Sequence, residues 1–315
     1  MKKSKIAPIA IFAYNRSSHL VRTINSLSKC YGFGESPITV YIDGPKNEKD
    51  KVKISKVKNV VYELLGNYAE IKCRPFNIGL AKSITSGVQE QLDSYNHVIV
   101  LEDDLILSQN FLIFMSNALH YYADDQSVFQ ISGFSYDVPA LSSSNTSFLM
   151  PFTTTWGWGT WSRAWKSYDS MATGWQALRD DNALRKKFNL DGVYDYASML
   201  EDQMKNNIDS WGIRWYWSVF KKNGVVLFPP KSMVRNIGMD GTGVHGRGIL
   251  TNFSSQIETN DFEIPNLPSK KNINKKYFSY VKKAIWKQNG GYSQRILKSF
   301  FNTAKHINKF LNKGK

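Results

Sequence analysis

Short apolar runs alternate with helix-spaced segments along the first 125 residues. Pro8 to Tyr14 is small and apolar and predicts a first strand. Asn15-Arg16-Ser17-Ser18 opens a helix capped by Ser17 or Ser18, with Leu20, Ile24 and Leu27 at helical spacing. Ile38 to Ile42 predicts a second strand, closed by the turn signal Asp43-Gly44-Pro45. A charged stretch from Lys46 runs into a helix through Leu65, with Val57, Val60, Val61 and Leu64 on one side. Ala69 to Arg74 predicts a third strand. Asn77-Ile78-Gly79-Leu80-Ala81 then leads into a helix striped by Ile84, Val88 and Leu92. Val98 to Leu101 is an unbroken apolar run, the mark of a strand buried on both faces, and Phe111 to Tyr122 is the helix after it. Such alternation predicts an α/β fold with a mostly parallel central sheet and right-handed crossovers. Ligands of these sheets bind beyond the carboxyl ends of the strands. The predicted ends carry Asn15-Arg16, Asp43, Asn77 and Glu102-Asp103-Asp104.

The middle of the chain has a different texture. Thr153 to Trp165 holds four tryptophans, Trp156, Trp158, Trp161 and Trp165, around Gly157 and Gly159. Flat aromatic faces and indole N–H groups suit sugar rings, and glycine permits close approach. The alternative is an aromatic cluster that buttresses the fold. Asp180 to Asn207 predicts a polar helix, and Ser210 to Trp217 forms a second aromatic block. Asn223-Gly224 turns into a strand at Val225 to Phe228, stopped by Pro229-Pro230. Asn236 to Gly248 contains five glycines with Asp240, His245 and Arg247. It reads as a loop able to close over a ligand, or as an ordinary surface loop.

Composition narrows the class. The chain has 315 residues, 42% hydrophobic and 14% aromatic, enough for one large domain with or without an appendage. No window approaches the roughly 18 apolar residues of a membrane span. Lys2, Lys3 and Lys5 precede no signal-peptide core. Cys30 and Cys73 form neither a disulfide framework nor a metal-ligand spacing, so a reducing, cytoplasmic compartment is expected. The net charge of +15 is concentrated at one end: 13 of the 41 Lys/Arg, and none of the 26 Asp/Glu, lie from residue 266 onward. Ile296, Leu297, Phe300, Phe301, Ala304, Ile307 and Leu311 recur at helical spacing opposite Lys298, Asn302, Lys305 and Lys309. This basic amphipathic pattern suits the anionic inner face of a cell membrane, or a terminal helix packed on the body. Nucleic acid is disfavoured, because no binding module accompanies the charge.

The acids after the fourth strand carry the sharpest chemistry. Three adjacent carboxylates repel one another and resist burial, so they call for a cation or a solvated turn. Hard oxygen ligands at a central strand end suit Mg²⁺ or Mn²⁺ carrying a phosphorylated substrate. No GxGxxG or Walker A pattern occurs, which disfavours a Rossmann dinucleotide site and a P-loop.

With these motifs in this order, roughly residues 6 to 250 resemble nucleotide-sugar-dependent glycosyltransferases of the GT-A fold. The nearest branch includes β-1,2-N-acetylglucosaminyltransferase I and bacterial surface-polysaccharide transferases. The resemblance implies a body over 1–264, with a nucleotide-sugar half at 1–125 and an acceptor half at 126–264, and a basic tail at 265–315. It implies that Asn15, Arg16, Asp43 and Asn77 contact the nucleotide of a donor, a UDP-sugar in the first instance. It assigns Asp104 to the metal, Asp103 to the ribose or metal waters, and Glu102 to support. Trp156, Trp158 and Trp161 fall in the acceptor segment, with Trp211 and Arg214 beside them. Asp209 is the implied catalytic base, with Asp202 or Glu201 as rivals, and His245 lies in the loop over the donor. Together these imply an inverting transfer to a glycan or lipid-linked oligosaccharide in capsule or lipopolysaccharide assembly. Two other readings stay open: a sugar-phosphate nucleotidyltransferase, and a non-catalytic carbohydrate-binding protein built on the tryptophans.

Overall fold

The structure, a computed structural model, describes residues 6–238, 240, 263–268 and 272–289. The first βα units fall where the pattern placed them. They are β1 (Ile9–Ala13), α1 (Ser17–Leu27), β2 (Ile38–Ile42), α2 (Glu48–Leu65), β3 (Ala69–Cys73), α3 (Leu80–Ser94) and β4 (His97–Glu102). β1 and β2 are buried at every position, and β4 at its four apolar ones, as expected of parallel strands covered on both faces. The cap of α1 differs from expectation. Arg16 takes the N-cap position with no side-chain cap bond, because its guanidinium is drawn instead to the acids after β4.

A short strand β5 (Leu105–Leu107) and helix α4 (Phe111–Tyr121) follow, then β6 (Val128–Ser132), α5 (Pro139–Ser142) and β7 (Phe148–Met150). Next is β8 (Trp158–Trp161), continuing directly into α6 (Ser162–Trp165). Three short helices, α7 (Ala177–Asp180), α8 (Asn182–Phe188) and α9 (Tyr196–Met204), occupy the stretch expected to be one polar helix. The break between α8 and α9 is a left-handed turn in which Leu190, Asp191 and Gly192 have φ of 51°, 61° and 83°. Helix α10 (Trp211–Lys221), β9 (Val225–Phe228), β10 (Val234–Asn236) and α11 (Lys275–Gln288) complete the described elements.

Eight strands form one sheet in the order β3-β2-β1-β4-β8-β6-β9-β7. Parallel pairings join β1 to β2 and β4, β2 to β3, and β6 to β9. β8 lies antiparallel between β4 and β6, and β7 runs antiparallel to β9. The expected α/β class with most strands aligned is therefore present, as a mixed sheet.

The tryptophan segment has an unexpected place within it. Trp158 and Trp161 sit in the strand at the centre of the sheet, with Gly159 paired to Ile99 on one side and Ile131 on the other. A Cβ at Gly159 would lie 3.1 Å from the Val98 carbonyl oxygen and from Leu119 Cδ1, so glycine lets α4 pack close over this strand. Strand alternation sends the two tryptophans to opposite faces. Trp161 donates from Nε1 to the Leu119 carbonyl at 2.9 Å, and Trp158 stacks on Trp211 at 5.1 Å between ring centroids.

A second apolar cluster lies beyond β9 and β7. Phe148, Phe152, Phe188, Tyr216 and Phe228 pack there with Val281 and Ile285 of α11, which are each 1% exposed. The first part of the basic tail thus packs on the body. The amphipathic pattern from Ile296 to Leu311 lies outside the described residues.

Candidate functional site

A cavity of about 440 Å³ opens beyond the carboxyl ends of β1, β2 and β4, within the usual range for a small-molecule site. Its floor is built by two reversals of chain. β4 ends in Glu102, and Asp103 and Asp104 form the turn into β5. The β5–β10 ribbon then brings Asn236 and Gly238 back across that turn. The Ile237 amide donates to the Asp104 carbonyl at 2.8 Å, and Asn236 Nδ2 donates to Asp104 Oδ1 at 3.2 Å.

Arg16 supplies the counter-charge. Its Nη2 lies 2.7 Å from both Asp103 Oδ1 and Asp104 Oδ2. Burial works against the guanidinium charge, but Asp103 and Asp104 outweigh it and hold Arg16 firmly protonated. One cation does not satisfy three acids. Burial and the charges of Asp104 and Asp103 push Glu102 up to about 8. Burial, opposed in part by Arg16, leaves Asp103 at about 6. Thr23 ties the turn to α1, its Oγ1 donating to the Asp103 carbonyl at 2.9 Å and accepting from the Leu105 amide at 3.1 Å.

One wall is fixed by Asp43, at the end of β2. Its Oδ1 accepts from the Gly44 and Ile78 amides at 2.9 and 3.1 Å. Its Oδ2 accepts from Asn77 Nδ2 and the Gly79 amide at 2.9 and 3.1 Å. A carboxylate has about four acceptor sites, so protein donors occupy the set. Asp43 therefore holds the 77–79 loop against the strand, and the direct contact with a base implied for it has no free acceptor site in this geometry. Asn77 spends its amide N–H groups on Asp43 and the Gly44 carbonyl, which leaves its Oδ1 as an acceptor on the cavity wall. Asn15 also lines the cavity, and its Nδ2 donates to Asp50 Oδ1 at 3.1 Å beside the 2.6 Å bond from the Tyr14 hydroxyl to Asp50 Oδ2.

The opposite wall is the start of α10 together with the 154–156 segment. Ser210 caps α10, and Trp211, Gly212, Thr155, Trp156 and Asp209 face the cavity. A Cβ on Gly212 would fall 2.9 Å from Thr155 Cγ2, so glycine is what allows these two pieces to meet. Gln130, fully buried on β6, locks them. Its Nε2 donates to the Thr154 carbonyl at 2.6 Å and its Oε1 accepts from Trp215 Nε1 at 2.8 Å.

The cavity thus brings together Asn15, Arg16, Asp43, Asn77, Glu102, Asp103, Asp104, Trp156, Asp209 and Trp211 from six separate segments. It does not bring in every candidate. Trp158 and Trp161 are core residues at 0% and 2% exposure, so the acceptor contact implied for them is corrected: the strand they form is enclosed on both sides. Arg214 is outside the lining and sits behind Asp209, 3.8 Å from its Oδ1. Asp202 is exposed on α9, accepts from Asn207 Nδ2, and does not line the cavity; Glu201 pairs with Lys205 and Arg179. Asp209 itself is 62% exposed at the side chain, so it stands at the mouth and is not enclosed by the tryptophans. His245 lies outside the described residues. Asn236 and Gly238 belong to the glycine-rich stretch read as a loop able to close over a ligand, though neither was singled out as a wall residue; Lys46, Ser83 and Met199 were missed. Nothing local in Met233-Val234-Arg235-Asn236 ties Asn236 or Gly238 to Asp104.

The residues present fit a divalent cation. Three carboxylates against one guanidinium leave a surplus of negative charge in a buried place, and burial first, then the neighbouring acids, raises Glu102 and Asp103. Among the described residues no cluster of three or more His, Cys, Asp or Glu forms a metal cage. An incomplete, oxygen-only set of this kind holds Mg²⁺ or Mn²⁺ jointly with a substrate's phosphates.

No family model matches the chain. Among solved structures it is similar to the mannosyltransferase PcManGT from Pyrobaculum calidifontis in complex with GDP-Man and Mn²⁺, at 10% identity over 70% of this chain and 74% of that one, with a TM-score of 0.37. It is also similar to the galactosyltransferase LgtC in complex with donor and acceptor sugar analogs, at 11% identity over 70% and 72%, with a TM-score of 0.37. A nucleotide-diphospho-sugar transferase from Desulfovibrio desulfuricans G20 overlaps at 10% identity over 40% and 56%, with a TM-score of 0.27. Overlap at this level carries no chemistry to this chain, so the function has to be argued from the cavity.

Proposed function

We propose that the protein is a metal-dependent glycosyltransferase of the GT-A type that uses a nucleotide sugar, a UDP-sugar first among them. The observation that carries this is the convergence of Arg16, Asp103 and Asp104 on one cavity at the carboxyl ends of the parallel strands. Asp104 and Asp103 would hold Mn²⁺ or Mg²⁺, which when bound neutralises the donor diphosphate as a leaving group. Arg16 adds a fixed positive charge for the same phosphates, and Asn77 Oδ1 offers an acceptor to the base. Half-buried Trp156 gives the acceptor sugar an apolar face, and Trp211, 4% exposed and stacked on Trp158, backs the wall behind it. Asp209 takes the proton of the acceptor hydroxyl as its oxygen bonds the anomeric carbon and the bond to the diphosphate breaks, which is an inverting transfer. Its exposure at the mouth suits a group that meets an acceptor arriving from solvent.

The acceptor in this reading is a glycan or lipid-linked oligosaccharide of a surface polysaccharide, such as capsule or lipopolysaccharide. The basic residues from 290 onward would keep the enzyme at the anionic inner face of the membrane. Among the described residues no helix is long and apolar enough to cross a membrane. The carbohydrate-binding alternative loses ground, because Trp158 and Trp161 form no surface platform.

Titration calorimetry with UDP tests the proposal. Binding that needs Mn²⁺ and disappears in Asp104→Asn is the expected result. Equal UDP affinity with and without metal would overturn the metal assignment, and a lack of UDP, GDP, CMP and dTDP binding would overturn the transferase reading.

A further inference from the structure

We infer that Arg16 acts as a built-in counter-cation for the acid pair, so that a divalent ion enters only by exchange with it, when an anionic ligand draws the guanidinium away. The inference deepens the proposed donor site and rests on that reading. A single nitrogen, Nη2, holds Asp103 Oδ1 and Asp104 Oδ2 at once, each at 2.7 Å. The second oxygen of each acid is also engaged. Asp103 Oδ2 accepts from the Tyr14 amide at 3.3 Å and Asp104 Oδ1 from Asn236 Nδ2 at 3.2 Å. No oxygen of the pair is left without a donor.

The surroundings keep the guanidinium in place. The two carboxylates are 7% and 11% exposed at the side chain and Arg16 is 21% exposed. Gly238 closes the remaining side so tightly that a Cβ there would fall 2.0 Å from Asp104 Oδ2 and 2.7 Å from Arg16 Nη1. A cation sharing the two oxygens would lie against a like charge in a poorly solvated place, which is strongly unfavourable. A diphosphate reverses the balance. It offers Arg16 a new anionic partner at the moment it brings ligands for the metal, so metal and nucleotide favour each other's binding. Metal alone meets an occupied site.

The test is Mn²⁺ binding by the intact chain, followed by the electron paramagnetic resonance of free Mn²⁺, with UDP as the anionic probe. The wild type is expected to bind Mn²⁺ weakly alone and on the order of tenfold or more tightly with UDP. Arg16→Met keeps an unbranched apolar stem and removes the charge. It is expected to bind Mn²⁺ alone about tenfold better than the wild type, with the gain from UDP largely lost. Arg16→Lys, which retains a cation, is expected to stay weak without UDP. Thermal unfolding of each variant confirms that it is folded. If Arg16→Met binds Mn²⁺ alone no better than the wild type while UDP still tightens the metal in both, the exchange is overturned and the donor site stands. If no variant binds Mn²⁺ with or without UDP, the donor site falls and the exchange with it.

Discussion

Glu102 is where the charge imbalance of the floor is most concentrated. In the folded, metal-free protein its carboxyl is held at about 8, against an ordinary value of 4.5 in the unfolded chain. Between those limits the folded state binds the extra proton, so stability is full at the acid end and is lost as pH rises through the folded value. Glu102→Gln removes the liability. In chelator-treated protein, urea unfolding is expected to show the wild type losing stability relative to Glu102→Gln between about pH 4.5 and 8, on the order of a few kcal/mol. Parallel curves for the two proteins would contradict the assignment. Asp209 makes a different prediction, because it is exposed and touches none of the acids. Asp209→Asn should leave UDP binding and thermal stability unchanged and lower transfer by roughly 10²–10⁴ in kcat. A loss confined to KM would make it an acceptor contact only.

Strand β8 shows what the pattern of residues reveals and what it hides. The first four strands and their helices were legible, because short apolar runs at β1, β2 and β4 ending in Asn15-Arg16, Asp43 and Glu102-Asp103-Asp104 satisfy burial and leave polar groups at one edge. Most of the site was legible for the same reason. The Trp158–Trp161 strand was not, since Trp-Gly-Trp-Gly-Thr-Trp has the composition of a ligand platform and only the sheet order shows that it is enclosed. β5 and β10 were hidden by their length of three residues each, and with them went the link from Asn236 to Asp104. The two outcomes for tryptophan separate experimentally. Trp158→Ala deletes a fully buried ring stacked on Trp211 and should lower stability by about 3–5 kcal/mol. Trp156→Ala, at the cavity wall, should unfold within about 1 kcal/mol of the wild type and raise acceptor KM instead. Similar stability losses for both would place Trp156 in the core.

Across the whole molecule, α11 determines where the body ends. Val281 and Ile285 are buried against the aromatic cluster that contains Phe148 and Phe228, so the described body extends past the boundary expected near residue 264. A chain ending at Pro268 should therefore be less stable than one ending at Asn289, by about 3–6 kcal/mol for two buried aliphatic side chains. Both lack the basic residues from 290 onward, and both are expected to lose binding to anionic vesicles in a flotation assay. Retained binding by the chain ending at Asn289 would move the contact to the body.

The reversed strand at the middle of the sheet also constrains how the chain is made. As the polypeptide leaves the ribosome, β4 has β1 on one flank and bare amides on the other until residue 161 arrives. The cavity residues at the ends of β1, β2 and β4 are synthesised before that point, and those on α9, at the start of α10 and on the β10 turn come after it. The nascent first half thus waits with an open, adhesive border, of the kind that pairs with other chains. Its closure falls to four residues that are half tryptophan.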